Sequence, residues 1–155
     1  MKRLALLILA ALPAIAADSP YRQGELSVSP FVSASTSNFE QFKEGYGVSV
    51  SYAYRRCWVV EARARHSGWD NSGQLIQDAG ARVIGRYPVP HMRWAPYAYV
   101  GAGWDFLGET TRIETGIGLD RRLTDRISAY VEAGHVSGFR GDNYYLGSAG
   151  VKWTF

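Results

Sequence analysis

The sequence predicts an all-β chain, folded as an eight-stranded antiparallel transmembrane up-and-down β-barrel, and three observations predict it. Eight segments alternate apolar and polar residues with a period of two, the mark of strands with one face of each kind. The last of them, Tyr144 to Phe155, carries Tyr145, Gly147, Ala149, Val151, Trp153 and Phe155 on its apolar row and stops at an aromatic residue. No run after the leader reaches about 18 apolar residues, so a secreted chain that lives in a membrane must satisfy its backbone in a closed barrel.

The leader is read first. Met1-Lys2-Arg3 is a charged start, Leu4 to Leu12 an apolar run, and Ala14-Ile15-Ala16 a small-x-small cleavage site. Residues 1–16 are therefore expected to be a secretory signal peptide, with cleavage after Ala16 or Ala17, leaving 17–155 as one barrel domain. The formal charge of +3 falls to about +1 without Lys2 and Arg3, which gives no reason to expect a nucleic-acid partner. Cys57 is the single cysteine, so an intrachain disulfide and a cysteine-based metal site are excluded. His66, His91 and His135 are scattered without ligand spacing, and neither a metal nor a cofactor is expected.

The strands are expected at roughly 24 to 34, 45 to 55, 57 to 66, 76 to 87, 94 to 105, 109 to 120, 125 to 136 and 144 to 155. Each is long enough to cross a bilayer when tilted. Parity sorts their side chains. Tyr46, Val48, Val50, Tyr52 and Tyr54 share one face of the second segment, and Trp58, Val60, Ala62 and Ala64 one face of the third. Parity alone does not say which face is inside, but volume does. Eight strands enclose only enough room for side chains, and Tyr46, Tyr52, Tyr54, Trp58, Tyr87, Trp94, Trp104, Tyr145, Trp153 and Phe155 are too bulky to share it. Placed outside, these aromatics fall near strand ends, as aromatic girdles do.

The inward row is then small and charged. Glu61, Arg63, Arg65, Asp78, Arg82, Arg86, Asp105, Arg112, Glu114 and Glu132 lie on it with Tyr99 and Tyr130, and Gly101, Gly103, Gly116 and Gly118 give room. Buried charges are tolerated only when paired and hydrogen-bonded, so the lumen is expected to be filled by arginine–carboxylate pairs rather than to form an open pore. Connections alternate in length: 55–57, 88–93 and 121–124 are short, whereas 35–44, 67–75 and 137–143 are longer and rich in Ser, Asn and Gly. The external hairpin at 106–108 is the tight exception. The pattern suits short periplasmic turns and longer extracellular loops.

Three stretches carry a family resemblance: Pro96 to Gly103, Gly116 to Arg126, and Val151-Lys152-Trp153-Thr154-Phe155. Through them the chain resembles the OmpA-like and OmpX-like small outer-membrane barrels over essentially its whole mature length. The resemblance implies a location in the outer membrane. It also implies that Val151, Trp153 and Phe155 form an assembly signal read by the barrel assembly machinery. A monomer among outer-membrane lipid and lipopolysaccharide is expected, with Phe39, Phe42, Trp69 and Phe139 in loops able to grip an extracellular ligand. Such barrels identify architecture and leave activity open.

One motif points to chemistry. His135-Val136-Ser137 ends the seventh segment with its two polar residues on the lipid-facing row of Ile127, Ala129, Val131 and Ala133. It resembles the lipid A 3-O-deacylase barrels, in which a His-x-Ser pair on the outer surface is followed by an oxyanion Asn and served by a Glu on the last strand. That resemblance makes His135 a general base and Ser137 a nucleophile. Gly138 stands where the Asn would be and Tyr145 near the place of the Glu, leaving Asp142 and Asn143 as substitutes. The alternative makes His135 and Ser137 simply the residues at which a strand leaves the membrane, where polar substitutions cost little. The preferred expectation is a non-enzymatic envelope or surface-interaction barrel, with the deacylase-like esterase as the second reading.

Overall fold

The computed structural model describes residues 20–37, 42–67, 77–139 and 143–155. The leader 1–16, Phe39, Trp69 and Asp142 lie outside the described residues. Eight strands follow in order: β1 (Leu26–Thr36), β2 (Lys43–Arg55), β3 (Trp58–Ser67), β4 (Asp78–Arg86), β5 (Trp94–Asp105), β6 (Thr110–Arg122), β7 (Ile127–Gly138) and β8 (Asn143–Thr154). Each pairs antiparallel with its sequence neighbours, and β1 pairs with β8 to close the barrel. All eight expected segments are present, displaced by a few residues at their ends. Closure leaves no sheet edge, so each strand has a partner on both sides.

The apolar row faces outward. Tyr46, Val48, Val50, Tyr52 and Tyr54 are exposed along β2, while Ser49 and Ser51 between them are buried. On β8, Tyr145, Val151 and Trp153 are exposed, as is Phe155 just after it, and Leu146, Ser148 and Thr154 are buried. A surface of Val, Ile, Tyr and Trp around a charged interior is the reverse of a water-soluble barrel. It is the distribution of a chain whose outer solvent is lipid.

The interior differs from expectation in one respect. Besides Tyr99 and Tyr130 it holds Phe31 and Tyr97, all buried, and the half-buried Tyr144. Four of these rings have a glycine opposite them in register: Phe31 faces Gly47, Tyr97 faces Gly118, Tyr99 faces Gly116 and Tyr130 faces Gly150. A methyl group at Gly118 would come within 2.3 Å of Tyr97 Cζ, and one at Gly47 within 2.4 Å of Phe31 Cζ. These glycines let rings lie flat on the neighbouring strand, which is how a narrow lumen accommodates aromatics.

Short turns close one end. Arg56 and Cys57 turn between β2 and β3, and residues 123–126 between β6 and β7. Cys57 is buried there, and burial pushes its thiol up from the ordinary value, so it is a packing residue rather than a reactive one. At the other end the hairpin 106–109 joins β5 to β6, with Glu109 in the left-handed region at φ 45°.

Candidate functional site

The charged lumen is built in three tiers. In the middle, Arg82 and Glu61 are register partners on β4 and β3. Arg82 reaches Glu61 at 2.9 Å, Glu132 at 2.8 Å and Glu114 at 3.6 Å. Arg63 reaches Glu132 at 3.0 Å and Glu114 at 3.3 Å. Glu132 also accepts the Tyr97 hydroxyl at 2.9 Å, so three donors from three strands converge on one carboxylate. Arg63 and Arg82 lie over the faces of Phe31 and Tyr99, at 4.4 and 4.3 Å from the ring centres. These contacts offset part of their desolvation.

Toward the hairpin 106–109, Arg65 meets its register partner Asp78 at 2.6 Å, and Arg112 pairs with Asp105. The Tyr144 hydroxyl accepts a hydrogen bond of 2.9 Å from each of these two arginines and ties the tier together. At the end where the chain enters and leaves, Arg122 binds Glu25 through two hydrogen bonds of 2.6 and 2.8 Å, and Lys152 binds Asp120 at 2.9 Å. Tyr21 closes this mouth. Its ring lies between the guanidinium groups of Arg86 and Arg122, 4.7 and 4.9 Å away, and its hydroxyl donates to Asp120 Oδ1 at 3.0 Å. It is 0% exposed, and burial followed by the Asp120 carboxylate holds its phenol well above the ordinary value.

The sequence-derived lumen residues Glu61, Arg63, Arg65, Asp78, Arg82, Asp105, Arg112, Glu114 and Glu132 are thus brought together inside the barrel. Lys152, on the polar row of the last segment, belongs to the same network, as do Tyr21, Glu25, Asp120 and Arg122, which were not picked out from the sequence. The parity of Asp120 and Arg122 with Arg112 and Glu114 carried a signal. Tyr21 and Glu25 precede the first strand, where no periodicity exists. Among the described residues, seven cations line the lumen: Arg63, Arg65, Arg82, Arg86, Arg112, Arg122 and Lys152. They meet seven carboxylates, Glu25, Glu61, Asp78, Asp105, Glu114, Asp120 and Glu132. A cavity of about 30 Å³ lies among Arg63, Arg65, Arg82 and Arg112, and one of about 10 Å³ lies beside Asp120 and Lys152. The first has room for about one water molecule.

His135 and Ser137 lie on the outside of β7, near its end. The Ser137 hydroxyl donates to Asn143 Oδ1 at 2.8 Å, and the His135 ring meets its register partner Tyr145 edge-on with centres 5.4 Å apart. Among the described residues no hydrogen bond joins His135 to Ser137. No group of three or more His, Cys, Asp or Glu residues able to hold a metal occurs among the described residues.

The fold and the inverted polarity define a transmembrane β-barrel of eight strands. It is similar to the N-terminal β-barrel domain of Pseudomonas aeruginosa OprF, at 16% identity and TM-score 0.69, over 86% of this chain and 98% of that one. A barrel from the de novo design of transmembrane β-barrels matches at 19% identity and TM-score 0.63, over 86% and 98%. The designed barrel TMB2.3, solved by NMR in solution, matches at 21% identity and TM-score 0.56, over 84% and 94%. No protein-family model matches the chain, and no curated protein does. The likeness is one of fold, an eight-stranded transmembrane β-barrel.

Proposed function

We propose that the protein is a non-enzymatic barrel of the outer membrane, with its termini periplasmic and its lumen closed to ions. It acts as an envelope component or through its extracellular loops. The carrying observation is the lumen: among the described residues, seven cations against seven carboxylates, linked across strands and capped by Tyr21. An ion path through it would have to break these pairs, at about 3–5 kcal/mol for each broken buried pair. The partners in this reading are lipopolysaccharide and outer-membrane lipid around the apolar band, and the assembly machinery at Val151, Trp153 and Phe155. The test is planar-bilayer recording of the purified barrel. No steady conductance is expected, and stable ion-sized openings in wild type would refute the reading.

The esterase is the second reading, because His135, Ser137 and Asn143 share one rim of the outer surface. It ranks below the first because acyl transfer needs the serine proton to pass to the histidine, whereas the Ser137 hydroxyl is directed to Asn143. Lipid A mass spectrometry of cells expressing wild type or Ser137→Ala decides between them. Loss of one acyl chain with wild type alone would establish the esterase.

A further inference from the structure

The lipid-facing surface is not uniformly convex. An open groove of about 520 Å³ is cut into it across β1, β8, β7 and β6. That volume lies within the range of about 300–1,000 Å³ usual for small-molecule sites. Its floor is a row of small outward residues in register, Ala34 opposite Gly147 and Gly147 opposite Ala133. Large side chains bound it: Phe42 on one side, Ile117 on the other, and the edge-on pair Tyr145 and His135 at the upper end. Below, Val32 and Val131 flank Ala149, so the floor continues along β8 beneath the groove.

We infer that this groove seats one acyl chain of a membrane lipid and retains that lipid more tightly than the rest of the annulus. The groove is continuous with the surface that already faces hydrocarbon, so its occupant is drawn from the bilayer. Its floor lacks side chains beyond a methyl, so a chain can lie against backbone with contacts on three sides rather than one. Dispersion contacts are individually small and add up along such a seat. The upper end is polar where an acyl chain gives way to a headgroup: the His135 ring lies there, with the Ser137–Asn143 pair beyond it on the same rim. A second small outward patch, with Ala62, Ala81 and Ala102 in register on β3, β4 and β5, provides an internal control.

The experiment fills the groove from its floor. A Cβ at Gly147 would meet no atom closer than 3.9 Å, so Gly147→Leu projects into open space without displacing the sheet. Wild type, Gly147→Leu, Ala133→Leu and the control Ala81→Leu are folded into palmitoyl-oleoyl phosphatidylethanolamine vesicles. They are then extracted into detergent and examined by native mass spectrometry, with gel mobility before and after heating to certify folding. Wild type and Ala81→Leu should carry one lipid. Gly147→Leu should lose it by about tenfold or more in occupancy ratio, because several methylenes are displaced, and Ala133→Leu, which remains a test if Gly147→Leu fails to fold, should lose it as well. Equal retention in all four proteins, no retained lipid in wild type, or loss in the control as well would overturn the inference. So would a wild-type dimer abolished by Gly147→Leu, which would assign the groove to a second copy of the chain.

Discussion

The middle tier of the lumen contains two arginines and three carboxylates, and this imbalance makes the cost of each substitution there predictable in order. Arg82→Met removes the ion pairs to Glu61 at 2.9 Å, Glu132 at 2.8 Å and Glu114 at 3.6 Å, leaving Glu132 and the half-buried Glu114 to Arg63 and taking from Glu61 its ion pair. Removing one partner of a buried network destabilises by about 3–5 kcal/mol, and the unpaired like charges put this variant at the upper end. Glu132→Gln acts in the opposite direction. It weakens bonds from Arg63 at 3.0 Å, Arg82 at 2.8 Å and Tyr97 at 2.9 Å, yet leaves two cations against two carboxylates, with Arg82–Glu61 and Arg63–Glu114 intact. Its cost is about 1–3 kcal/mol, that of degraded hydrogen bonds to charged groups. Combined, the two changes leave one arginine and two carboxylates, the same excess of one negative charge as in wild type, so the double variant should cost less than the sum by about 0.5–3 kcal/mol. The assay is urea titration of folding into lipid vesicles, followed by tryptophan fluorescence and by heat-dependent gel mobility. Glu132→Gln costing as much as Arg82→Met, with strict additivity in the double variant, would refute the reasoning.

Val131→Arg and Val50→Arg place a charge on residues 57% and 46% exposed on the outer face. They should destabilise by about 2–4 kcal/mol in the same titrations if they lie near the bilayer midplane, and tolerance of both would mean that this face does not meet lipid. Tyr21→Ala should cost about 3–5 kcal/mol, as for a buried aromatic, and should bring intermittent conductance to an otherwise silent barrel; a silent variant of unchanged stability would remove Tyr21 from the closure. Gly118→Ala should destabilise by about 1–3 kcal/mol through overpacking against Tyr97, and relief by Tyr97→Leu, which removes the ring, would locate the strain in that pair. Deleting Phe155, whose side chain is exposed at the barrel end, should leave refolding in vesicles within about 0.5 kcal/mol of wild type while sharply reducing assembled protein in cells. Equal loss in both settings would make the residue structural rather than a signal.

The sequence by itself determined the strands and their faces, because a period of two is a local property. Tyr46, Val48 and Val50 must share a side whatever they pack against, and one slip in register would turn Glu61, Arg63 and Arg65 into lipid. It also determined that the charges go inside, since the bulk of Trp104, Trp153 and Tyr52 does not fit in an eight-stranded lumen. Only the tertiary structure decided which charge meets which. Arg63 and Glu132 are 69 positions apart and lie on strands that are not neighbours, so no local pattern relates them. The same is true of Phe31 and Tyr97 inside the barrel, each admitted by a glycine on an adjacent strand. It holds as well for Tyr21, which lies before the first strand yet fills the space between Arg86 and Arg122. His135 and Ser137 are two residues apart on one face, which the sequence states outright. Where their polar atoms point depends on Tyr145 and Asn143, which the β7–β8 register delivers to them across the sheet.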